Sequence, residues 1–378
     1  MASGNPAPTL KRQAAICDSV DNPCMLSSTS HPSRFSPKGV GLLAAVITVT
    51  IWTAFIVIAR ASADPARGGV LNPFDIVYAR ILGASLILMP WGLWLTARDR
   101  TRRSEAGLAG PAIATSSLFG LSPLPLRMTL TIGVFGGLLY GVLAYSGFVY
   151  APAAHASVLM PGSLPLWTAL LAVWVLGDRI TAARATGLLL IVGGDLLVGG
   201  ASLLHALDGS GIWRGDVLFM TAAFTWSCYS VLVRKHALDA VRATIAITAL
   251  AFVVYVPIYT ALLLLHWVPG QVLVAPWRDV ALQMLFQGVG SVVVSGIAFN
   301  KMIQYYGPVR STMITALVPG LSAIAAVIVL GEPLHWNLVA GLALVTAGIM
   351  FGVRRASAVS IVATKNIAAH AISTGAKG

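Results

Sequence analysis

Residues 165–187 read PLWTALLAVWVLGDRITAARATG, and residues 319–341 read PGLSAIAAVIVLGEPLHWNLVAG. Set side by side, they pair Pro165 with Pro319, Gly177-Asp178 with Gly331-Glu332, and Gly187 with Gly341, at a constant spacing of 154 residues. In each copy an apolar run ends at a Gly-acid turn and a second apolar run follows, so the duplicated unit is built from membrane-length helices. A membrane protein made of two related halves is most often a carrier.

Working outward, 57% of the residues are hydrophobic, only 10% are charged, and mean hydropathy is +0.82. A soluble domain carries about 25% charged residues. The 378 residues hold roughly ten spans of about 20 residues each. That leaves space for short loops and two tails, and none for a large extramembrane domain. The apolar runs place spans near 39–59, 76–96, 128–149, 155–176, 184–204, 213–233, 243–265, 280–303, 309–330 and 336–353. The expected class is all-α integral membrane.

Pro65, Gly68, Gly69 and Pro73 mark the connection from Arg60 to Asp75, and Asp208, Gly209 and Ser210 mark the one at Ala206–Gly211. Segment 97–126 opens with Arg98, Arg100, Arg102 and Arg103 and continues in Gly and Pro, which predicts a flexible basic loop. Residues 1–38 lack an apolar core and are rich in Ser, Pro and Asn, so a disordered tail is expected, neither signal nor span.

With the N-terminus inside, 20 of the 25 Lys and Arg residues fall on the cytoplasmic side. Both termini, including the tail 354–378, are then cytoplasmic. Topology also accounts for the net charge of +12. No basic run with interleaved aromatics is present, so no nucleic-acid partner is expected.

The repeat reaches further back. Trp52-Thr53-Ala54-Phe55 with Arg60 is echoed by Trp226-Ser227-Cys228-Tyr229 with Arg234, at a spacing of 174 that places the surplus residues in segment 97–126. The halves are 39–204 and 213–353. Five spans per half is an odd number, so the second copy enters from the opposite face and the repeats are inverted, the arrangement that supports alternating access. Pro165 with Pro319 and Gly194 with Gly348 occupy matched positions, and Pro161-Gly162 stands in the first copy alone. These are candidate helix bends. Small-residue packing is the other reading.

Several of these stretches resemble a known family. Trp52 to Arg60, Ala144-Tyr145-Ser146-Gly147, Ala156-Ser157-Val158-Leu159 leading to Pro165, Leu176 through Thr181, and Gly187 through Ile191 resemble the EamA unit of the drug/metabolite transporter superfamily. Gly215-Asp216, Ala223 through Ser227, Val318-Pro319, Leu330-Gly331-Glu332 and Gly341 through Gly348 resemble a second unit. The resemblance covers about residues 39–353 and implies a ten-helix carrier of the bacterial inner membrane, whose relatives move amino acids, metabolites and drugs. It also implies a cavity between spans one, three, four, six, eight and nine, with five and ten peripheral. The chain departs from the family's Gly-Glu turn at Gly177-Asp178, has Pro333 after Glu332, and carries Asp195 in the fifth span.

Asp195 stands out, because an acid at the centre of an apolar span costs roughly 3 kcal/mol on insertion scales. It is either a proton-coupling carboxylate or a protonated group bonded to a neighbouring helix. Lys301 lies near the inner end of span eight, where it can snorkel to the interface. Set deeper, it would face the cavity and pair with an anionic substrate group, supported by Asn300. Arg80 presents the same choice at the outer interface, beside Asp75. Asp178 and Glu332 are expected to cap the following helices or pair with a base such as Arg179. Further cavity candidates are Trp52, Tyr145, Ser157, Trp167, Trp226, Tyr229, Gln287, Phe299 and Ser311.

With few fixed charges in the cavity, the substrate is expected to be neutral, zwitterionic or amphipathic. A phosphate would call for convergent cations, such as Arg80, Lys301 and Arg310 together. For an intramembrane aspartyl protease a second carboxylate would have to share the site of Asp195. No His-Glu-x-x-His occurs, and no histidine falls in mid-span. A receptor or sensor would be expected to carry a soluble output domain. Cys17, Cys24 and Cys228 lack zinc-site spacing, so neither metal nor cofactor is expected. The resulting expectation is a secondary-active exporter of small metabolites, with the bilayer as its other partner, proton coupling through Asp195, and small residues that permit a homodimer.

Overall fold

The computed structural model describes residues 37–63, 70–105, 116–151, 153–204, 211–330, 336, 339–348 and 351. Among them the chain is helical apart from short connections, and no strand forms beyond an isolated bridge between Ser117 and Ser122. In a bilayer the backbone must satisfy its own hydrogen bonds, and an apolar helix does so without help.

The helices are α1 (Pro37–Ala63), α2 (Pro73–Glu105), α3 (Leu126–Tyr150), α4 (Ala153–Leu176), α5 (Ala182–Leu204), α6 (Ile212–Lys235), α7 (Ala240–Leu264) and α8 (Trp277–Tyr306). Helix α9 comes in two pieces, Pro308–Thr315 and Val318–Leu330, and α10 is the shorter Val339–Gly348. Seven of the described helices (α2, α3, α4, α6, α7, α8 and α9) are long and apolar enough to cross a membrane by length and composition.

Helix ends follow from local chemistry. Gly177 is left-handed at φ +70°, a conformation that ends α4, and the Asp178 amide donates back to the Ala172 carbonyl at 3.2 Å. Thr181 Oγ1, not Asp178, then accepts from the Arg184 amide at 3.3 Å and caps α5, because the hydroxyl sits immediately before the first helical residue. Glu332 and Pro333 lie outside the described residues. Asp239 Oδ1 accepts from the amides of Val241 and Arg242 at 3.0 and 3.1 Å and caps α7. Replacing Asp239 by Ala is expected to cost about 1 kcal/mol of stability, readable as a small fall in the unfolding midpoint in detergent.

One segment differs from the sequence expectation. Residues 97–105, placed in a flexible loop, form the last turns of α2. Arg102 and Arg103 sit where cations favour a helix C-terminus, and Asp99 pairs with Arg242 of α7 at 2.7 Å. Thr96 Oγ1 donates to the Gly120 carbonyl at 3.0 Å, which holds the following turn against the same helix.

The two halves interleave. Helix α6 packs on α3 and α4 as α1 packs on α8 and α9, and α2 lies on α8 as α7 lies on α3. Glycines allow these close passages. A methyl group on Gly83 of α2 would meet the Met284 backbone of α8, and one on Gly288 of α8 would stand 2.7 Å from the Ala84 amide nitrogen and 2.8 Å from the Arg80 carbonyl. Both α3 and α8 contain a widened π-helical segment, Val134–Leu139 and Met284–Val294. The 154-residue spacing carries the first onto residues 288–293, inside the second.

Gly194 and Gly348, candidate bends by sequence, instead make a close crossing of α5 and α10. A methyl group on Gly194 would lie 2.6 Å from the Gly341 carbonyl and 2.7 Å from Val345 Cγ2. One on Gly348 would lie 2.6 Å from the Gly187 carbonyl and 2.9 Å from Ile191 Cγ1. Gly187 with Gly341 and Ile191 with Val345 are themselves pairs at the 154-residue spacing, so the contact is reciprocal. Pro161 and Pro165 lie inside the continuous α4, whereas Pro319 opens the second piece of α9, just after its break at Ala316 and Leu317.

Candidate functional site

The apolar bundle leaves two adjoining hollows near its middle. They enclose about 610 and about 550 Å³ of space free of protein atoms, counting what opens to solvent, and share Arg80, Tyr140, Trp226, Ser291 and Gly296. Helix α1 contributes Trp52 and Phe55, α4 contributes Met160, Pro161 and Leu164, and α9 contributes Val318 to the first. The second runs between α2, α3 and α7, past Val77, Gly137 and Thr248.

Aromatic rings dominate the wall. Trp52 and Trp226 meet edge to face at 6.2 Å, Trp52 stacks on Phe299 at 5.3 Å, and Tyr140 leans on Trp226 at 4.7 Å. Trp52 and Trp226 are each other's counterparts in the repeat, so the cavity forms where equivalent positions of the two halves meet. Such faces suit flat or apolar molecules.

Polar groups are few and converge on α8. Trp52 Nε1 donates to Ser295 Oγ at 3.1 Å, and Arg80 Nη1 donates to Ser291 Oγ at 3.3 Å. The π-helical segment of α8 presents Gln287 towards α3 and Ser291 towards α2, and Ser295, which immediately follows it, towards α1. Such turns recur at functional sites because the extra residue changes where side chains point. Tyr145 Oη donates to Gln287 Oε1 at 3.4 Å, and both are buried.

Of the sequence candidates, Trp52 and Trp226 line the cavity, with Phe299 stacked behind Trp52 and Tyr145 and Gln287 beside Arg80. Tyr229 and Asn300 do not line it. Asn300 Nδ2 donates to Tyr229 Oη at 2.6 Å and to Thr244 Oγ1 at 3.0 Å, which ties α8, α6 and α7 together in the interior. Its amide nitrogen is taken up by those two hydroxyls, and its Oδ1 has no hydrogen-bond partner among the described residues. Neither Lys301 nor Arg310 lines either hollow. Ser311 Oγ returns its hydrogen bond to the Gly307 carbonyl at 2.8 Å. Trp167 packs edge-on against Phe224, and the side chain of Ser157 lies outside the described residues. Asp195 is buried against Gly162 of α4, with no hydrogen-bond partner for Oδ1 among the described residues.

Arg80 takes the cavity-facing of its two readings, and Asp75, its expected neighbour at the outer interface, is fully buried and committed elsewhere. Its oxygens accept from Tyr259 Oη and the Gln271 amide at 2.9 Å, and from the amides of Asn72 and Val272 at 3.2 Å. The guanidinium turns inward, 6.0 Å from the Phe55 ring centre. Tyr140, Ser291 and Ser295 line the cavity without being among the sequence candidates. The serines recur four residues apart on α8, a spacing that puts them on one helical face and is readable in the sequence. Among the described residues no group of three His, Cys, Asp or Glu side chains could hold a metal ion.

The model of the EamA-like transporter family matches residues 39–200 and again residues 213–354. The chain belongs to that family. EamA proteins are transporters, not enzymes, and this one is a multi-pass membrane protein with a small-molecule substrate and the lipid bilayer as its partners. It is 24% identical over 287 residues to the uncharacterized transporter YcxC of Bacillus subtilis, covering 73% of this chain and 90% of that one. It is 25% identical over 268 residues to a "Probable amino-acid metabolite efflux pump" of Salmonella typhimurium, covering 68% and 88%. A solved crystal structure superposes with a TM-score of 0.56 at 19% identity, covering 84% of this chain and 98% of the other, so the two share a fold.

Proposed function

We propose that this EamA protein is a secondary-active carrier that moves a small organic molecule by alternating access, ten spans forming two inverted five-helix repeats. The observation that carries the reading is the cavity at Trp52 and Trp226, bounded by matching positions of both halves. A site at a repeat interface is where alternating access puts its substrate. The reciprocal crossing of Gly194 and Gly348 supports the two-fold relation between the repeats, and the odd number of spans per repeat supports the inversion. The membrane is the bacterial inner membrane, with both termini cytoplasmic by the distribution of Lys and Arg. The names of the Salmonella typhimurium relative and of its Escherichia coli counterpart favour export and substrates related to amino acids.

Asp195 is the coupling residue in this reading. Its buried carboxyl presses on Gly162, next to the cavity-lining Pro161, so its protonation state is felt by α4. The test is counterflow in proteoliposomes with labelled amino acids, purine metabolites and lipophilic cations, with and without a pH gradient. Saturable exchange of one class is expected. Asp195→Asn is expected to abolish the gradient effect while leaving exchange at equal pH. Exchange with an unchanged gradient effect in the variant removes coupling from Asp195. No exchange across the panel, with folded protein, favours a receptor without transport.

A further inference from the structure

Arg80 has no carboxylate partner among the described residues. Among the described residues no Asp or Glu lines either hollow, and Asp75 on the same helix is satisfied by Tyr259 and three backbone amides. Arg80 is half-buried, and a guanidinium that faces a hollow inside an apolar bundle is ordinarily paired, because a charge drawn out of water without compensation is costly. Here it donates to Ser291 Oγ and faces the Tyr145 hydroxyl, both neutral, and it spans the boundary between the two hollows.

The groups around it are also short of acceptors. Trp226 Nε1 and Gln287 Nε2 are buried donors without hydrogen-bond partners. Gln287 is fully buried and Trp226 is 7% exposed. A cluster of donors around one cation, with no acid to answer it, is the complement of an anion. One guanidinium serves one negative charge, and neither Lys301 nor Arg310 joins it, which suits a carboxylate better than a dianionic phosphate. The remaining wall is the aromatic surface of Trp52, Phe55, Tyr140 and Trp226, which suits an apolar or aromatic body. An ammonium group would find no acid on the wall.

We propose that Arg80 is the anion-binding residue of this cavity and that the ligand is an organic monocarboxylate with an apolar or aromatic body, for which an amino group is not required. The carboxylate bonds the free N–H groups of Arg80, with Trp226 Nε1 as a second donor, and the body lies along Trp52 and Phe55. This rests on the carrier reading, so its test measures binding rather than transport.

Radiolabelled phenylacetate is equilibrated with the purified full-length protein in nanodiscs, with octanoate, L-phenylalanine and phenethylamine as competitors. Phenylacetate is expected to bind saturably, octanoate and L-phenylalanine to compete, and phenethylamine to fail. Arg80→Gln is expected to weaken phenylacetate by about 10- to 100-fold, the loss of a charge-assisted hydrogen bond, with Arg80→Lys in between. Competition by L-phenylalanine but not octanoate narrows the body to aromatic, and the reverse narrows it to aliphatic. Either leaves the carboxylate reading in place. Equal competition by phenethylamine, full affinity in folded Arg80→Gln, or no phenylacetate binding to the folded wild type overturns the proposal. Binding without counterflow, by contrast, overturns the carrier reading and leaves this one standing.

Discussion

Asp75→Ala is expected to lower the stability of the purified protein by roughly 3–5 kcal/mol, the range for removing one side of a fully buried charged network. The side chain is 0% exposed and accepts four hydrogen bonds, two on each oxygen. Three come from backbone amides, those of Asn72, Gln271 and Val272, which make no other hydrogen bond among the described residues. The bonds join the start of α2 to the connection after α7, so the damage spreads to two elements nearly 200 residues apart in sequence. Asp75→Asn keeps the shape but turns one acceptor into a donor. If its carbonyl faces Tyr259 and Val272, its amino group faces two N–H groups, so an intermediate loss is expected. The check is the unfolding midpoint in detergent together with hydrogen exchange over residues 268–276. An Asp75→Asn protein as stable as the wild type would show that the negative charge contributes nothing.

Gly288→Leu is expected to prevent correct packing of α2 on α8. The Cβ alone would sit 2.7 Å from the Ala84 nitrogen, 2.8 Å from the Gly83 carbonyl carbon and 2.8 Å from the Arg80 oxygen. All three are backbone atoms, and backbone in the middle of two packed helices has no rotamer to change. Overpacking of a core costs about 1–3 kcal/mol when side chains can move aside, so the cost here is at the upper end or beyond. Gly288→Ala is the informative variant, because a small separation of the helices carries Arg80 away from Ser291, to which it now donates at 3.3 Å. Loss of the monodisperse peak for Gly288→Leu is expected, with weakened phenylacetate binding in folded Gly288→Ala. Wild-type behaviour of both would show that α2 and α8 do not pass as closely as described.

Helix positions and the pairing of Trp52 with Trp226 were legible in the sequence because hydrophobic length and internal repetition are one-dimensional signals. The inward turn of Arg80 was not. It lies a few residues inside an apolar run with an acid nearby, the usual pattern for an interfacial cation. What brings it inside is the commitment of Asp75 to Tyr259 and to the Gln271 and Val272 amides, and the closeness of α8 permitted by Gly83 and Gly288. Those contacts join residues far apart in the chain. Asn300 illustrates the same limit from the other side. Its polarity marks it as special in an apolar span, yet only the positions of Tyr229 and Thr244 decide that it ties helices together and lines neither hollow. The basic segment after residue 97 misled for a local reason, since Arg is as much at home at a helix end as in a loop.

The crossing of α5 and α10 has a separate consequence. Each side of it is made from the same three-position pattern, Gly187, Ile191 and Gly194 against Gly341, Val345 and Gly348. A joint whose two surfaces are alike needs no covalent bond between its owners. Cut the chain between residues 205 and 210, and each fragment keeps a surface that fits the other, as well as one that fits a second copy of itself. The tether chiefly sets the count at one of each.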